Sequence, residues 1–288
     1  MTRTAANICT LDDFLTGEIE LCSPPEVFMR ITQALDDPMK NAKDVANIIE
    51  QDPSLAARML KIVNSAFFGF PATVKTIDHA IAILGNREIR MLVMTTSVVE
   101  KFSSMPNSIL DMREFWAHSL KTALFAKFLA DNHSKKRQLS SVFISGLLHD
   151  IGRLILYTKA PDLARAAALL VKANKVSEIE AESSTFGFNH AELGGALLEM
   201  WKIPESIQSA ASFHHQPEMA TSNQDETNII YLANLLAHAD TTSEETISAT
   251  ILPEDEIWEN INIPYGIVTP ASAQVNEQFS HTYAMFFS

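Results

Sequence analysis

Val142-Phe143-Ile144-Ser145-Gly146-Leu147-Leu148-His149-Asp150-Ile151-Gly152-Arg153-Leu154-Ile155-Leu156 is an apolar stretch that carries an imidazole and a carboxylate side by side at its centre. A run of this composition reads as buried helix. Polar groups inside it are costly unless something pairs with them, and histidine next to aspartate is a metal-ligand pair. Working outward, further histidines stand at His118, His190, His214 and His215, each inside a helical pattern or at the edge of one. Ligands carried on separate helices are how helical proteins build metal sites in their cores. The six residues His118, His149, Asp150, His190, His214 and His215 therefore form one candidate metal-binding constellation.

The rest of the chain supports an all-helical fold. Of 288 residues, 47% are hydrophobic and only 9 are glycine, and alternating strand-like runs are scarce. A chain of this length suits two subdomains or one large helical domain. The formal net charge of −13 argues against nucleic acid or an anionic membrane as partner, since both need basic patches. No apolar run approaches the ~20 residues of a membrane helix, and the first residues lack a secretory core, so a cytoplasmic protein is expected. Cys9 and Cys22 have no metal-type spacing and read as reduced thiols.

Helix starts are expected at Ser23-Pro24-Pro25-Glu26, with Ser23 as cap, Pro24 in the first turn and Glu26 closing a capping box, and again at Asp52-Pro53. Phe67, Phe68, Gly69, Phe70 and Pro71 break the second of these helices. A helix over 76–84 is stopped by Gly85 and another resumes from 86 to about 102. Ser103, Ser104, Met105, Pro106 and Asn107 mark the best candidate boundary between two helical subdomains. Beyond it, helices are expected over about 112–132, through the His149-Asp150 pair, and over 161–174, 177–185, 189–200, 204–215 and 225–240. The first ~20 and last ~20 residues read as a loose lead-in and a mobile or partner-docking tail.

A histidine-rich set with a carboxylate suits iron, zinc, manganese or nickel better than calcium, which wants oxygen ligands. Two such ions side by side would suit hydrolysis of a phosphodiester. The plainer alternative is that these groups hydrogen-bond one another across the bundle and hold no metal. His79, His133, His238 and His281 fit no set and read as ordinary structural residues, and Trp116 and Trp201 as core fillers.

Several blocks, in order, resemble the HD superfamily of metal-dependent phosphohydrolases, and more closely its regulatory branch, the HDOD (HD-related output) domain. They are residues 21–27, 51–69 and 76–85 in the first half, and in the second PheIleSerGlyLeuLeuHisAspIleGlyArgLeu, AsnHisAlaGluLeuGlyGlyAlaLeuLeu and PheHisHisGlnPro. The resemblance spans about residues 20 to 240. It implies a lead-in over 1–20, an N-terminal helical subdomain over 21–104, an HD-like helical bundle over 105–241 and a C-terminal extension over 242–288. It also implies His118 as first ligand, His149 and Asp150 as the namesake pair, and His190, His214 and His215 as the added ligands of multinuclear members. The chain departs from the catalytic pattern at the closing aspartate, where Asn234 stands, and Asp240 lies more than a turn too late. Arg153 replaces the lysine found in the branch that hydrolyses cyclic di-GMP, and a planar guanidinium does not reproduce a compact ammonium. GlnProGluMetAla replaces that branch's GlyTyrPro element. That hydrolysis is not expected here.

Two functions follow from the resemblance. The first is a signalling or regulatory module with a degenerate metal site, acting by binding a signalling protein partner or a nucleotide or phosphate ligand. The second is a metal-dependent phosphohydrolase on a nucleotide or phosphate ester, with Asp150 at the metal and Arg153 steering the anionic substrate.

Overall fold

Pro24 and Pro25 decide where order begins in the first half. The proline at 25 holds the residue before it extended, and Pro25 itself has φ −54° and ψ 134°, so the first long helix starts only at Glu26 and Ser23 makes no cap. The expected capping box at Ser23 is thus corrected by the second proline. The computed structural model describes residues 10–16, 22–64, 70, 72–103, 110–136, 138–239 and 256–287. Cys9, Phe67, Phe68, the boundary residues 104–107 and Asp240 lie outside them.

In chain order the helices are α1 (Leu11–Thr16), α2 (Glu26–Asp36), α3 (Ala42–Ile49), α4 (Pro53–Val63), α5 (Ile77–Ser103), α6 (Met112–Asp131), α7 (Val142–Leu148), α8 (Ile151–Lys159), α9 (Pro161–Asn174), α10 (Glu178–Phe186), α11 (His190–Met200), α12 (Glu205–Phe213), α13 (Gln224–His238), α14 (Ile257–Ile261) and α15 (Val268–Phe287). Among the described residues there is no strand, and no helix is long and apolar enough to cross a membrane.

The chain divides into two compact units, one of Met1–Ser23 with Asn107–Val275 and the other of Pro24–Pro106 with Asn276–Ser288. In the second unit α5 packs on α2, α3 and α4. Its helices start where the chemistry of caps directs. Asn41 accepts from the amides of Lys43 and Asp44 while Asp44 returns a bond to the Asn41 amide. Asp52 accepts from Leu55 at 3.0 Å, ahead of Pro53 at the first helical position, as expected. Gly85, at φ 82° and ψ 167°, bends α5, a conformation a side chain would resist.

In the first unit α6 packs on α7 and α13, and α11 packs on α12 and α8. The short α1 belongs here: Phe14 is buried and meets Phe186 and Phe188 edge to face, with centroids 5.9 and 5.2 Å apart. Its carbonyl accepts from Lys159 Nζ at 2.5 Å and from the Cys22 thiol, which is free and buried. The loose lead-in expected over these residues is therefore, at 11–16, a docked helix. Trp116 and Trp201 are buried core, and the Trp201 indole donates to Cys22 O at 2.6 Å.

The C-terminal tail is a second correction, because its last stretch folds as α15. Val268, Ala271, Ser272, Val275, Thr282 and Phe286 are buried at helical spacing. Half of these are small or polar, so a hydrophobic stripe did not stand out in the sequence.

Candidate metal centre

His149 and Asp150 do not continue a helix, as their apolar flanks led us to expect, but separate α7 from α8. The ring itself supplies the reason. In a continuous helix Gly146 O would accept the amide of Asp150, yet His149 Nδ1 donates to that carbonyl at 2.7 Å. Asp150 turns to φ −95° and ψ 11°. The same device ends α12, where His214 Nδ1 donates to Ala211 O at 2.8 Å, the acceptor that the His215 amide would otherwise use. Both histidines thereby leave the helical ladder with Nδ1 tied to a backbone carbonyl and Nε2 turned away from it. His190 opens α11 behind the Asn189 capping box and donates Nδ1 to Glu182 Oε2 at 2.7 Å, so its Nε2 is likewise turned away from its anchor.

These Nε2 atoms converge on Asp150, which is 3% exposed. Asp150 Oδ1 lies 3.1 Å from His190 Nε2 and 3.4 Å from His214 Nε2, while Oδ2 lies 3.5 Å from His149 Nε2 and 4.0 Å from His118 Nε2. His190 Nε2 is also 3.1 Å from His215 Nε2. All six residues singled out from the sequence are thus brought together, in two groups that share Asp150: Asp150, His190, His214 and His215, and His118, His149 and Asp150, with ligand atoms within 4.8 Å of one another in each group.

Burial opposes the charge on Asp150, but His149, Arg153 and the bonds from His190 and His214 hold its carboxyl well below the usual range. Burial pushes His118 down to about 4 and lowers His149 and His215 too, so these rings are neutral at pH 7, the form a metal ligand requires. Burial acts the same way on His190, yet the Glu182 and Asp150 carboxylates outweigh it and raise that ring to about 10, so its Nε2 holds a proton that metal binding must release. His118 Nε2, His149 Nε2 and Asn234 Oδ1 are buried with no hydrogen-bond partner among the described residues. Unpaired buried acceptors are costly, and a cation is the group that would satisfy the two rings at once, since they share a ligand group with Asp150. The donor set, rich in imidazole and anchored through Nδ1, fits a first-row divalent metal.

Three participants escaped the sequence reading. Glu182 is fully buried and accepts both the Nδ1 proton and the backbone amide of His190, the latter at 2.8 Å. Its only signal was a place four residues before the buried Phe186 on the apolar side of α10. His238, read as an ordinary residue, stacks on His118 with ring centroids 4.1 Å apart. Glu178 accepts from Arg153 Nη2 at 2.5 Å and from the Tyr157 hydroxyl at 3.0 Å. Arg153, expected to face a substrate, pairs with Asp150 at 3.3 Å and with Glu178. By contrast His79 is exposed, and the buried His133 uses Nδ1 to accept from the Lys135 amide at 3.0 Å.

Because Glu182 fixes both the tautomer and the orientation of His190, Glu182→Gln is expected to weaken divalent-metal binding by about 10- to 100-fold. Competition of Zn²⁺ against a chromogenic chelator reads this directly. An unchanged dissociation constant would remove Glu182 from its positioning role.

Comparison with known proteins gives the following. The model of the HDOD domain matches residues 21–217. A Treponema pallidum protein of uncharacterised function is 25% identical over 214 residues, 74% of this chain and 40% of its own length, so the chain matches less than half of that relative. Among solved structures, an HDOD domain protein of unknown function from Geobacter sulfurreducens is 25% identical, with TM-score 0.72 over 96% of this chain and 95% of that one. A candidate phosphohydrolase from Shewanella amazonensis shares the fold at 22% identity and TM-score 0.70, over 95% and 96% of the two chains. A candidate signal transduction protein from Marinobacter aquaeolei shares it at 16% and 0.67, over 99% of this chain and 68% of that one.

Proposed function

The chain belongs to the HDOD domain family, and from that premise we propose that it is a signal-transduction module whose His/Asp cluster binds a divalent metal and, with it, a phosphorylated ligand or a signalling partner, without turning the ligand over. One observation carries this reading. Asn234 stands where catalytic HD enzymes place their closing aspartate, and it is buried beside His118. A neutral amide there leaves a divalent ion with Asp150 as its one anionic ligand in either group. His118, His149 and Asp150 would hold one ion, and His190, His214 and His215 a second that shares Asp150. Such an ion supplies Lewis acidity and lowers the pKa of water. The protein's own residues do the rest: the Nδ1 anchors of His149, His190 and His214 fix the rings, and Arg153 is held by Glu178 rather than free to follow a leaving group.

Two results are expected. Metal-replete protein should show no turnover on a panel of phosphodiesters and nucleotides. Asn234→Asp should tighten metal binding by about 10- to 100-fold, since a hydrogen-bonded or ligating charge contributes roughly 1.5–3 kcal/mol. Turnover by the wild type that vanishes in Asp150→Asn would transfer the chain to the second reading, a phosphohydrolase with Asp150 and Arg153 in its catalytic site. The completeness of the histidine set favours that second reading, because a module acting through shape alone has no use for five converging imidazoles.

A further inference from the structure

Beside the cluster lies a cavity of about 570 Å³ that takes one residue of the cluster, His215, into its lining. Its size falls within the range of small-molecule sites, roughly 300–1,000 Å³. One wall is a single stripe of α13: Gln224, Asn228, Tyr231 and Leu235 follow one another at intervals of four, three and four residues, which places them on one helix face. Glu256, Ile257 and Asn260, at and just before α14, also line it and lie beyond the residues that the family model matches. His215 lines it too, and its Nε2 is 3.1 Å from His190 Nε2. Anything filling the cavity therefore touches a member of the candidate metal centre.

The lining says what kind of group fits. Among the residues that line it there is no lysine or arginine, and two carboxylates, Glu218 and Glu256, are both exposed. A phosphate has no electrostatic reason to enter. The interior offers amide, phenol and imidazole groups over an apolar base of Pro217, Leu235 and Ile257, the surface an uncharged, flat, hydrogen-bonding heterocycle requires. Asn228 adds a second, independent sign. It is 3% exposed, its Oδ1 accepts from Gln224 Nε2 at 3.3 Å, and Gln224 is itself tied to Pro217 O at 2.6 Å. That chain of bonds orients the Asn228 amide, and its Nδ2 makes no hydrogen bond to any described residue. A donor held in place without a protein partner is available to a ligand in the cavity that Asn228 lines. His215 differs from its neighbours in the same sense: its Nδ1, unlike those of His149, His190 and His214, has no hydrogen bond among the described residues.

We propose that this cavity binds the nucleoside end of a nucleotide, with Asn228 reading the base and the phosphate directed past His215 to the His/Asp cluster. The phosphate half rests on the function proposed above, and the base half on the cavity alone. The cavity wall formed by α14 would make recognition a property of this chain's C-terminal extension.

The test is isothermal titration of the full-length, metal-replete protein with the four common ribonucleosides, their 5′-monophosphates, inorganic phosphate and spermidine. At least one monophosphate is expected to bind about tenfold or more tighter than inorganic phosphate, the gain of one to two well-made hydrogen bonds and stacked area. Asn228→Leu should remove that gain while leaving the metal content unchanged. Because Asn228 is buried, Asn260→Trp, which fills the cavity from an exposed position, serves as the second variant and should do the same. No nucleotide binding above the phosphate level, binding indifferent to both variants, or spermidine in preference to every nucleotide would each overturn the proposal. Phosphate binding that needs the metal but gains nothing from a base would sink the cavity while sparing the metal-centre reading. Protein that takes up no metal, yet binds a free nucleoside through Asn228, would do the reverse.

Discussion

Asp150→Asn should empty the metal centre. The substitution keeps the shape of the side chain and removes the charge that both ligand groups share, so it separates electrostatics from packing. Asp150 is the one carboxylate within 4.0 Å of four of the five clustered imidazoles, and it is buried. Removing one partner from a buried charge pair costs about 3–5 kcal/mol, which for a bound cation is a loss of affinity from roughly 10²-fold to several thousand-fold. Protein purified without a histidine tag and assayed by elemental analysis should show metal in the wild type and in His79→Ala, an exposed histidine of the other unit, and close to none in Asp150→Asn. Equal metal in all three proteins would falsify the assignment of this cluster as the metal site. Metal in none of them would support the plain alternative, in which the rings and the carboxylate only bond to one another.

Why the cluster could be read from sequence, while its supports could not, is a matter of which physical signals are local. His149 and Asp150 stand out because polar groups are rare in an apolar run, and His214-His215 because a doublet is conspicuous. Helix starts elsewhere follow from caps, as at Asp52-Pro53, and the helix that carries His190 lies within the expected range of 189–200. Glu182, by contrast, is one glutamate among several in α10, and nothing in its neighbours says that it faces His190 rather than water. His238 joins only because α13 packs on α6, a fact of tertiary structure. The break between α7 and α8 was hidden for a different reason: composition predicts a helix there, and only the ring of His149 competing for Gly146 O interrupts it. The helix start at Glu26 turned on which of two prolines set the backbone, and α15 on a buried face half of which is alanine, serine and threonine. Where side chains compete with the backbone, pattern alone misplaces the element.

Gly152→Ala is expected to cause the largest loss of stability from a single added methyl group. A Cβ at Gly152 would lie 2.0 Å from His190 O and 2.7 Å from Gly194 N. Both are backbone atoms, so no rotamer change can clear the overlap, and α8 must move away from α11. Overpacking by one methylene ordinarily costs about 1–3 kcal/mol and occasionally more. With two backbone contacts this close, the upper end of that range is expected. The damage should also reach the metal centre, because α8 begins one residue after Asp150 and α11 begins with His190, so the two ligands 3.1 Å apart are carried by the helices being forced apart. Urea unfolding of the metal-free protein measures the first effect and chelator competition the second. Gly266→Ala is the matched control, since a Cβ there meets nothing within 4 Å, and it should leave both unchanged. If Gly152→Ala unfolds at the wild-type urea midpoint and keeps its metal affinity, the close approach of α8 and α11 does not set the geometry of the site, and the convergence of His190 on Asp150 must be imposed by Glu182 alone.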